Sequence, residues 1–302
     1  MSVRSDAPPP GGDRRSSLDR MLDILTLFDE SHPVWTVDGM LKRLGYSRAT
    51  AYRYVRSLCR ISLLDPVSGG GYVLGPAVLE WEHLVRSADP LLAAAHPVLE
   101  RIRALTGETV VLARPYRDRV LCTAVTPGLS GLPTSLDRGR PLPRFRGAAS
   151  KAILAHLGGR RLRSLWELEA DGFRDAGLGD DLNQVRDTVH GIRYQGHVET
   201  HGELAPGVAD CAAPVVNADG AVLGSLCLVR SPDRSPSSSR PPPFGPMDDD
   251  VLSPPGDYVV AVVEGAAEVT RALREGPLGA PSRIGTGPPA ARLADPSDLA
   301  PH

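Results

Sequence analysis

The plainest chemistry in this chain lies in Ser47-Arg48-Ala49-Thr50-Ala51-Tyr52-Arg53 and the nearby Arg56. Guanidinium and hydroxyl groups here alternate with small side chains over about two helical turns. If Ala51, Tyr54, Val55 and Leu58 turn inward, then Arg48, Ala49, Thr50, Tyr52, Arg53 and Arg56 share the opposite face of one helix. Such a face suits the major groove of double-stranded DNA. Arg48 can fork onto a guanine, and Ala49 or Thr50 can touch a thymine methyl. Arg53, Arg56 and the Tyr52 hydroxyl are placed for phosphates, which fix register without reading sequence. Ser47, just before the helix, is a natural N-cap. The whole chain carries a formal charge of -2, so attraction to DNA has to be local. Residues 14–75 supply nine basic side chains (Arg14, Arg15, Arg20, Lys42, Arg43, Arg48, Arg53, Arg56, Arg60) against six acids (Asp19, Asp23, Asp29, Glu30, Asp38, Asp65). Lys42 and Lys151 are the only lysines among the 34 basic residues, so phosphates would be met mainly by bidentate arginine forks.

Other reactive residue types are poorly arranged for chemistry. Cys59, Cys122, Cys211 and Cys227 show no C-x-x-C spacing and lie among apolar neighbours. They are expected to be small buried hydrophobes in a reducing compartment. An enzyme built on the second half would need Cys211 or Cys227 as nucleophile and His201 as base, yet both thiols fall in apolar strands where they are inert. His197 and His201 lie near Glu199 and Glu203 without a third ligand at metal-site spacing, and are expected to be exposed loop histidines. No catalytic residue, metal or cofactor is therefore expected. No apolar run is long enough for a bilayer, and residues 1–15 lack the apolar core of a signal peptide. The chain is read as cytoplasmic, with no membrane partner.

The elements that must position the basic face follow from capping and periodicity. Ser16-Ser17-Leu18-Asp19 has the form of a capping box, and Leu18, Met21, Leu22, Leu25 and Phe28 recur at helical spacing. Thr36 caps a second helix with Val37, Met40, Leu41 and Leu44 inward, closed by Gly45. The turn Gly45-Tyr46-Ser47 leads to the third helix, which runs to about Ile61. Two short strands then flank a glycine-rich tip at Asp65 to Gly71. Three helices and a two-stranded wing make a winged helix-turn-helix. A helix from Gly75-Pro76, with Val78, Leu79, Leu84 and Val85 apolar, is broken by Pro90.

At 302 residues two domains are expected. In the second half, a helix ends at Gly107 and strands follow over 109–114 and 120–125. Helices come next at 148–157, near 160–170 and over 180–193. A hairpin pairs 208–216 with 221–229 through Asn217-Ala218-Asp219-Gly220. A Pro/Ser-rich loop spans 232–246, and a last helix covers 256–274. The division is a disordered arm over 1–15, a DNA-binding domain over 16–75, a linker helix over 76–90, a second domain over 91–275 and a disordered tail over 276–302. The fold class is α+β.

Several of these segments, taken in order, resemble the isocitrate lyase regulator (IclR) family. They are Ser17-Leu18-Asp19-Arg20 with Leu25, Ser47 to Arg53, Gly71-Tyr72-Val73-Leu74-Gly75-Pro76, and Thr106-Gly107-Glu108-Thr109-Val110. Gly139-Arg140-Pro141-Leu142-Pro143, Ser150-Lys151-Ala152, Pro206-Gly207-Val208 and Ala212-Ala213-Pro214-Val215 complete the series. The resemblance implies a GAF-like sensor domain, a mixed sheet flanked by helices, with a small-molecule effector held between sheet and loops. It also implies a homodimer or homotetramer on a near-palindromic operator. Fold analogy does not name the effector.

Relatives of this kind that bind small carboxylates use backbone amides at the start of a helix, an acid, a cysteine and serines on the last strand. Aligned without gaps, these positions fall at Ala148 and Ala149, Thr200, Asp210, and Cys227 with Val229. The amides survive, because a helix N-terminus presents free N–H groups whatever the side chain. The rest has changed: Thr200 replaces an acid, Asp210 a neutral cysteine, and Cys227 and Val229 hydroxyls. Strand alternation puts Val208, Asp210 and Ala212 on one face. A carboxylate turned inward needs a partner, and Arg144 and Arg146 are the candidates, while Glu203, which sits on the family's loop as well, reads equally as a solvated surface acid. The expected effector is mainly apolar or hydroxylated, with a cation allowed and a small carboxylate disfavoured. The competing readings are a ligand-free repressor or interaction protein, and the cysteine-dependent enzyme.

Overall fold

A computed structural model describes residues 16–129, 136–230 and 255–275. The expected arm (1–15), Pro/Ser-rich loop (232–246) and tail (276–302) lie outside these. The chain divides into two compact units, Met1–Ala88 and Asp89–His302.

In the first unit, α1 (Ser17–Asp23) starts at a capping box. The Asp19 N–H donates to Ser16 Oγ at 3.1 Å, and the Ser16 N–H donates to Asp19 Oδ2 at 3.0 Å. The helix ends sooner than the apolar spacing predicts, and one 3-10 turn at Leu25–Leu27 follows. The stripe is split as a result. Ile24 and Leu27 enter the core, whereas Leu18 and Leu22 are exposed. Helix α2 (Val37–Leu44) is capped by Thr36 and closed by Gly45, whose left-handed φ of 70° suits a residue without a side chain. Helix α3 (Arg48–Arg60) is capped by Ser47. Ile24, Met40, Leu58 and Leu64 are fully buried between these helices and the wing. The wing has three strands, β1 (Trp35–Thr36), β2 (Leu64–Val67) and β3 (Gly71–Leu74), in antiparallel order β1-β3-β2. Two-residue β1 is too short to show a period in sequence; its Trp35 Nε1 donates to the Leu27 carbonyl at 3.0 Å. Helix α4 (Ala77–Ser87) closes the unit, with Leu79, Trp81, Leu84 and Val85 more than half exposed.

The second unit opens with α5 (Pro90–Thr106). Pro90 does not merely break the preceding helix; it begins the next. Asp89 caps α5 by accepting from the Leu91 N–H at 2.9 Å, and proline is tolerated in a first turn because its missing N–H has no intrahelical partner there. There follow β4 (Thr109–Tyr116), β5 (Arg119–Thr126), β6 (Pro141–Leu142), α6 (Ala148–Ala155), α7 (Gly159–Asp175), α8 (Leu182–Gln195), β7 (Val198–His201), β8 (Ala209–Val216), β9 (Val222–Arg230) and α9 (Pro255–Glu275). The sheet order is β6-β5-β4-β9-β8-β7. Every described pairing is antiparallel, which corrects the mixed sheet that the resemblance implies. The reason is that β4–β5, β7–β8 and β8–β9 are joined by short connections, too short for a parallel crossover.

Helices α5 and α9 cover one face of this sheet through Val98, Ile102, Val262 and Val269. Helix α6 covers the other, where Ala148, Ala149 and Ala152 meet Val111, Ala212 and Cys227. Small residues on α6 let its backbone come close to the strands. Asp210 lies between Val208 and Ala212, which pack on the α6 side, while Cys211 and Ala213 pack on the α5–α9 side. The alternation predicted for this strand is thus observed.

Candidate DNA-reading face and ligand cavity

On α3 the Ser47 Oγ accepts from the Thr50 N–H at 3.3 Å and lies 2.8 Å from the Thr50 hydroxyl. Ala51, Tyr54, Val55 and Leu58 are buried, so Arg48, Ala49, Tyr52, Arg53 and Arg56 are left outward and exposed, with Thr50 half-buried. Arg48 is not free. Its Nη2 donates to Asp38 Oδ1 at 2.6 Å, across from α2, with both side chains about two-thirds exposed. Arg53 lies over the Tyr54 ring at 5.2 Å. Behind the turn, Tyr46 donates its hydroxyl to Asp23 at 2.9 Å and carries Arg20 over its ring at 4.5 Å. The turn between α2 and α3 is therefore tied back to α1 by a hydrogen bond and a cation–π contact.

The second arrangement surrounds the start of α6. Gly147, at a left-handed φ of 83°, turns the chain into the helix. The Ala148 N–H donates to Asp210 Oδ2 at 2.6 Å, and the Gly147 N–H donates to Glu203 Oε2 at 2.8 Å. Thr200, opposite Asp210 on β7, donates its hydroxyl to the other Asp210 oxygen. Lys151 Nζ meets Glu203 Oε1 at 2.5 Å. The chain's own carboxylates thus occupy the leading amides of this helix. Burial pushes the Asp210 carboxyl above the ordinary range; the bonds from Thr200 and Ala148 hold it down, Glu203 adds to the rise, and Lys151 opposes it.

Two expectations are corrected here. Arg146 does not pair with Asp210; its guanidinium donates to the Asp175 carbonyl at 3.0 Å. Arg144 pairs instead with Glu169 and lies 3.6 Å from Asp118. A helix N-terminus supplies the compensation that the arginines were expected to give. Glu203 is likewise not a solvated acid, since its side chain is 27% exposed and serves as both cap and ion-pair partner. Lys151 is a further member of the site, and its spacing of four from Gly147 places it one turn along the same helix face.

Beside this network lies a narrow cleft of about 240 Å³ including the space open to solvent, lined by Val111, Leu142, Ala149, Ser150, Cys227 and Val229, among others. Ala149, Cys227 and Val229 are therefore brought together in its wall, while Ala148, Thr200 and Asp210 form the adjoining hydrogen-bonded cluster. Ser150 is 1% exposed and its hydroxyl has no hydrogen-bond partner. Burial raises the thiols of Cys122 and Cys211 to about 12 and that of Cys227 well above its usual value, which removes the thiolate a nucleophile needs. Among the described residues no three His, Cys, Asp or Glu side chains are grouped to hold a metal. No helix among them is long and apolar enough to cross a membrane.

A capped recognition helix with an exposed basic face, and a separate α+β unit with a cleft beside its buried helix start, define the class of two-domain DNA-binding regulators. Residues 83–241 match the family described as bacterial transcriptional regulator IclR C-terminal, and residues 17–67 match the IclR helix-turn-helix domain. The HTH-type transcriptional regulator BhcR of Paracoccus denitrificans is 28% identical over 224 residues, covering 74% of this chain and 79% of the relative. The Pca regulon regulatory protein of Pseudomonas putida is 26% identical over 215 residues, covering 71% and 74%. An IclR regulator structure from Alicyclobacillus acidocaldarius aligns with a TM-score of 0.62 at 24% identity over 85% of this chain and 98% of the other. An IclR homologue from Microbacterium hydrocarbonoxydans, complexed with 4-hydroxybenzoate, aligns with a TM-score of 0.66 at 19% identity over 86% and 100%. The chain belongs to the IclR family and is a DNA-binding transcriptional regulator. Its relatives are named as regulators and not as enzymes.

Proposed function

We propose that two or four copies of the chain assemble on a near-palindromic operator, each placing α3 in the major groove. Arg48, Ala49, Thr50 and Ser47 address bases at the helix start, and Tyr52, Arg53 and Arg56 address phosphates. The observation that carries this reading is the outward basic and hydroxyl face of α3. One winged helix reads too few base pairs for useful specificity, and a two-fold axis doubles the site. Leu18 and Leu22 on α1, and Leu79, Trp81, Leu84 and Val85 on α4, are exposed apolar residues beyond what the small core uses, and they supply the contact between copies. The test is selection of genomic fragments by the full chain, followed by footprinting and sedimentation. Protection of two half-sites about one helical turn apart by a dimer or tetramer is expected; a monomer protecting one half-site would overturn the reading.

The cavity beside α6 is the effector site in this reading, with Ala148, Ala149, Thr200, Asp210, Cys227 and Val229 as its wall and brace. Because Asp210 and Glu203 already hold the leading amides, a small carboxylate would have to displace a buried anion to bind there. The ligand is therefore an uncharged, mainly apolar molecule whose one polar group meets the unpartnered Ser150 hydroxyl. Release of operator DNA by neutral apolar compounds and not by simple 2-oxo acids is the expected result. The reverse order would refute it.

A further inference from the structure

The C-terminal unit holds a second cleft, outside the cavity assigned above, between the β4–β5 turn and helices α6 and α7. Its floor and walls are apolar, formed by Val120, Ile153, Leu154, Leu157 and Leu165, and it encloses about 380 Å³ including the space open to solvent. Its rim carries Arg117, Arg119, Arg144 and Arg161, with Asp118 the single acid in the lining. Arg144 is answered by Glu169 and by Asp118 at 3.6 Å. Arg117, Arg119 and Arg161 are exposed and have no carboxylate partner among the described residues. Arg161 donates to the Arg117 carbonyl at 2.5 Å, which ties the start of α7 to the turn and holds that guanidinium at the mouth. The Ser150 side chain also lies in the wall of this cleft, nearly fully buried and without a hydrogen-bond partner.

We propose that this cleft binds a small amphipathic anion, an apolar body lying on the α6–α7 floor with one anionic head held by Arg117, Arg119 and Arg161. A bare inorganic anion would leave five apolar side chains with no role, and a neutral apolar molecule would leave three guanidinium groups with none. A ligand with both parts uses the apolar floor and the three guanidinium groups together, leaving Arg144 to its own acids. The low-dielectric floor also strengthens a head-group contact that would be weak on an open surface, and planar guanidinium groups suit a carboxylate or phosphate head. The two sites share the Ser150 wall but differ in charge: at the inner cleft the Gly147 and Ala148 amides are taken by Glu203 and Asp210, whereas the outer mouth presents three guanidinium groups without a carboxylate partner among the described residues.

Calorimetric titration of the full chain with octanoate, octanol and inorganic phosphate tests the proposal. Octanoate is expected to bind, with at least tenfold weaker binding of octanol and of phosphate. The double variant R119E/R161E should lose octanoate binding at least tenfold, with at most a small fall in melting temperature from loss of the Arg161 bond to the Arg117 carbonyl. R119Q/R161Q serves if charge reversal disturbs the fold. Hydrogen exchange locates the site: octanoate should protect residues 117–120 and 153–165. Protection confined to 147–150 and 227–229 would place the ligand in the inner cavity and overturn this proposal while leaving the effector reading intact. Equal binding of octanol, equal binding of phosphate, or unchanged octanoate binding by the arginine variants would each overturn it as well.

Discussion

Asp210 is the residue whose replacement separates a brace from a ligand contact, and the structure gives the magnitudes. In Asp210→Ala the Ala148 N–H and the Thr200 hydroxyl, both buried, lose their acceptor. Each orphaned group costs about 1–3 kcal/mol. Removing a desolvated carboxylate returns part of that, so a net loss of about 2–4 kcal/mol is expected. Asp210→Asn behaves differently. Its carbonyl oxygen can accept from Ala148, and its NH2 can donate to Thr200 Oγ, because a hydroxyl turns to accept. Both bonds are kept and only their charge assistance is lost, so the variant should stay within about 1 kcal/mol of the wild type near pH 7. The pH dependence has a definite sign. The folded carboxyl is raised above its unfolded value, so over that window the native state binds the proton more tightly. Its contribution to stability is therefore greatest at low pH and is lost as pH rises through the raised value. An asparagine at this position cannot titrate, so the stability of Asp210→Asn relative to wild type should improve across the same window, the other carboxyls cancelling in the difference. Urea unfolding by circular dichroism between about pH 4 and 8, with hydrogen exchange at 148–151 to report α6, measures both effects. If the Ala and Asn variants were equally stable, the assignment of Asp210 as the acceptor that caps α6 would be wrong; an Asn–wild-type difference flat with pH would show that the bonds from Thr200 and Ala148 cancel the rise that burial causes.

Three other outcomes follow from the same geometry. Arg48→Ala should cost about 1–3 kcal/mol on a selected operator and relax one base pair, whereas Arg53→Ala should weaken all sequences alike and flatten the salt dependence; band shifts on scrambled and selected duplexes at several salt concentrations distinguish them. Asp38→Asn frees Arg48 from an exposed pair worth only about 0.2–1 kcal/mol and removes an acid beside the DNA face, so non-specific binding should tighten by a small factor without loss of fold; weaker non-specific binding would show that Asp38 positions Arg48 for phosphate contact. Ser150→Ala deletes a buried hydroxyl that has no partner, and should therefore leave the melting temperature unchanged or raise it; a clear fall would mean the hydroxyl is satisfied in solution.

The parts of this molecule that were legible in the sequence are those set by local rules. Ser16, Thr36 and Ser47 were readable as caps because a short polar side chain before an apolar period has one economical use, and all three accept the N–H bonds expected of them. The β8–β9 hairpin was legible because Asn217 to Gly220 is turn chemistry between two apolar runs. What was hidden depends on partners distant in sequence. Nothing near residue 210 says that its carboxylate meets an amide 62 positions away, or that Glu203 meets one 56 positions away. Arg144 and Arg146, the arginines nearest the helix, look like the partners of Asp210 because a side-chain cation is the partner one can see in a string of letters. The partner used is the backbone N–H at the start of α6, which no residue letter displays. Alternation supplied the correct face for Asp210, and helix polarity supplied free amides at Ala148; both premises were present, and only the register of β8 against α6 joins them. That register follows from close packing of Ala148, Ala149 and Ala152 on the sheet, with Gly147 so near the β7–β8 loop that a side chain there would meet Leu204 at 2.7 Å. The small residues leading α6 are what bring the helix start close enough for a side chain of the sheet to cap it.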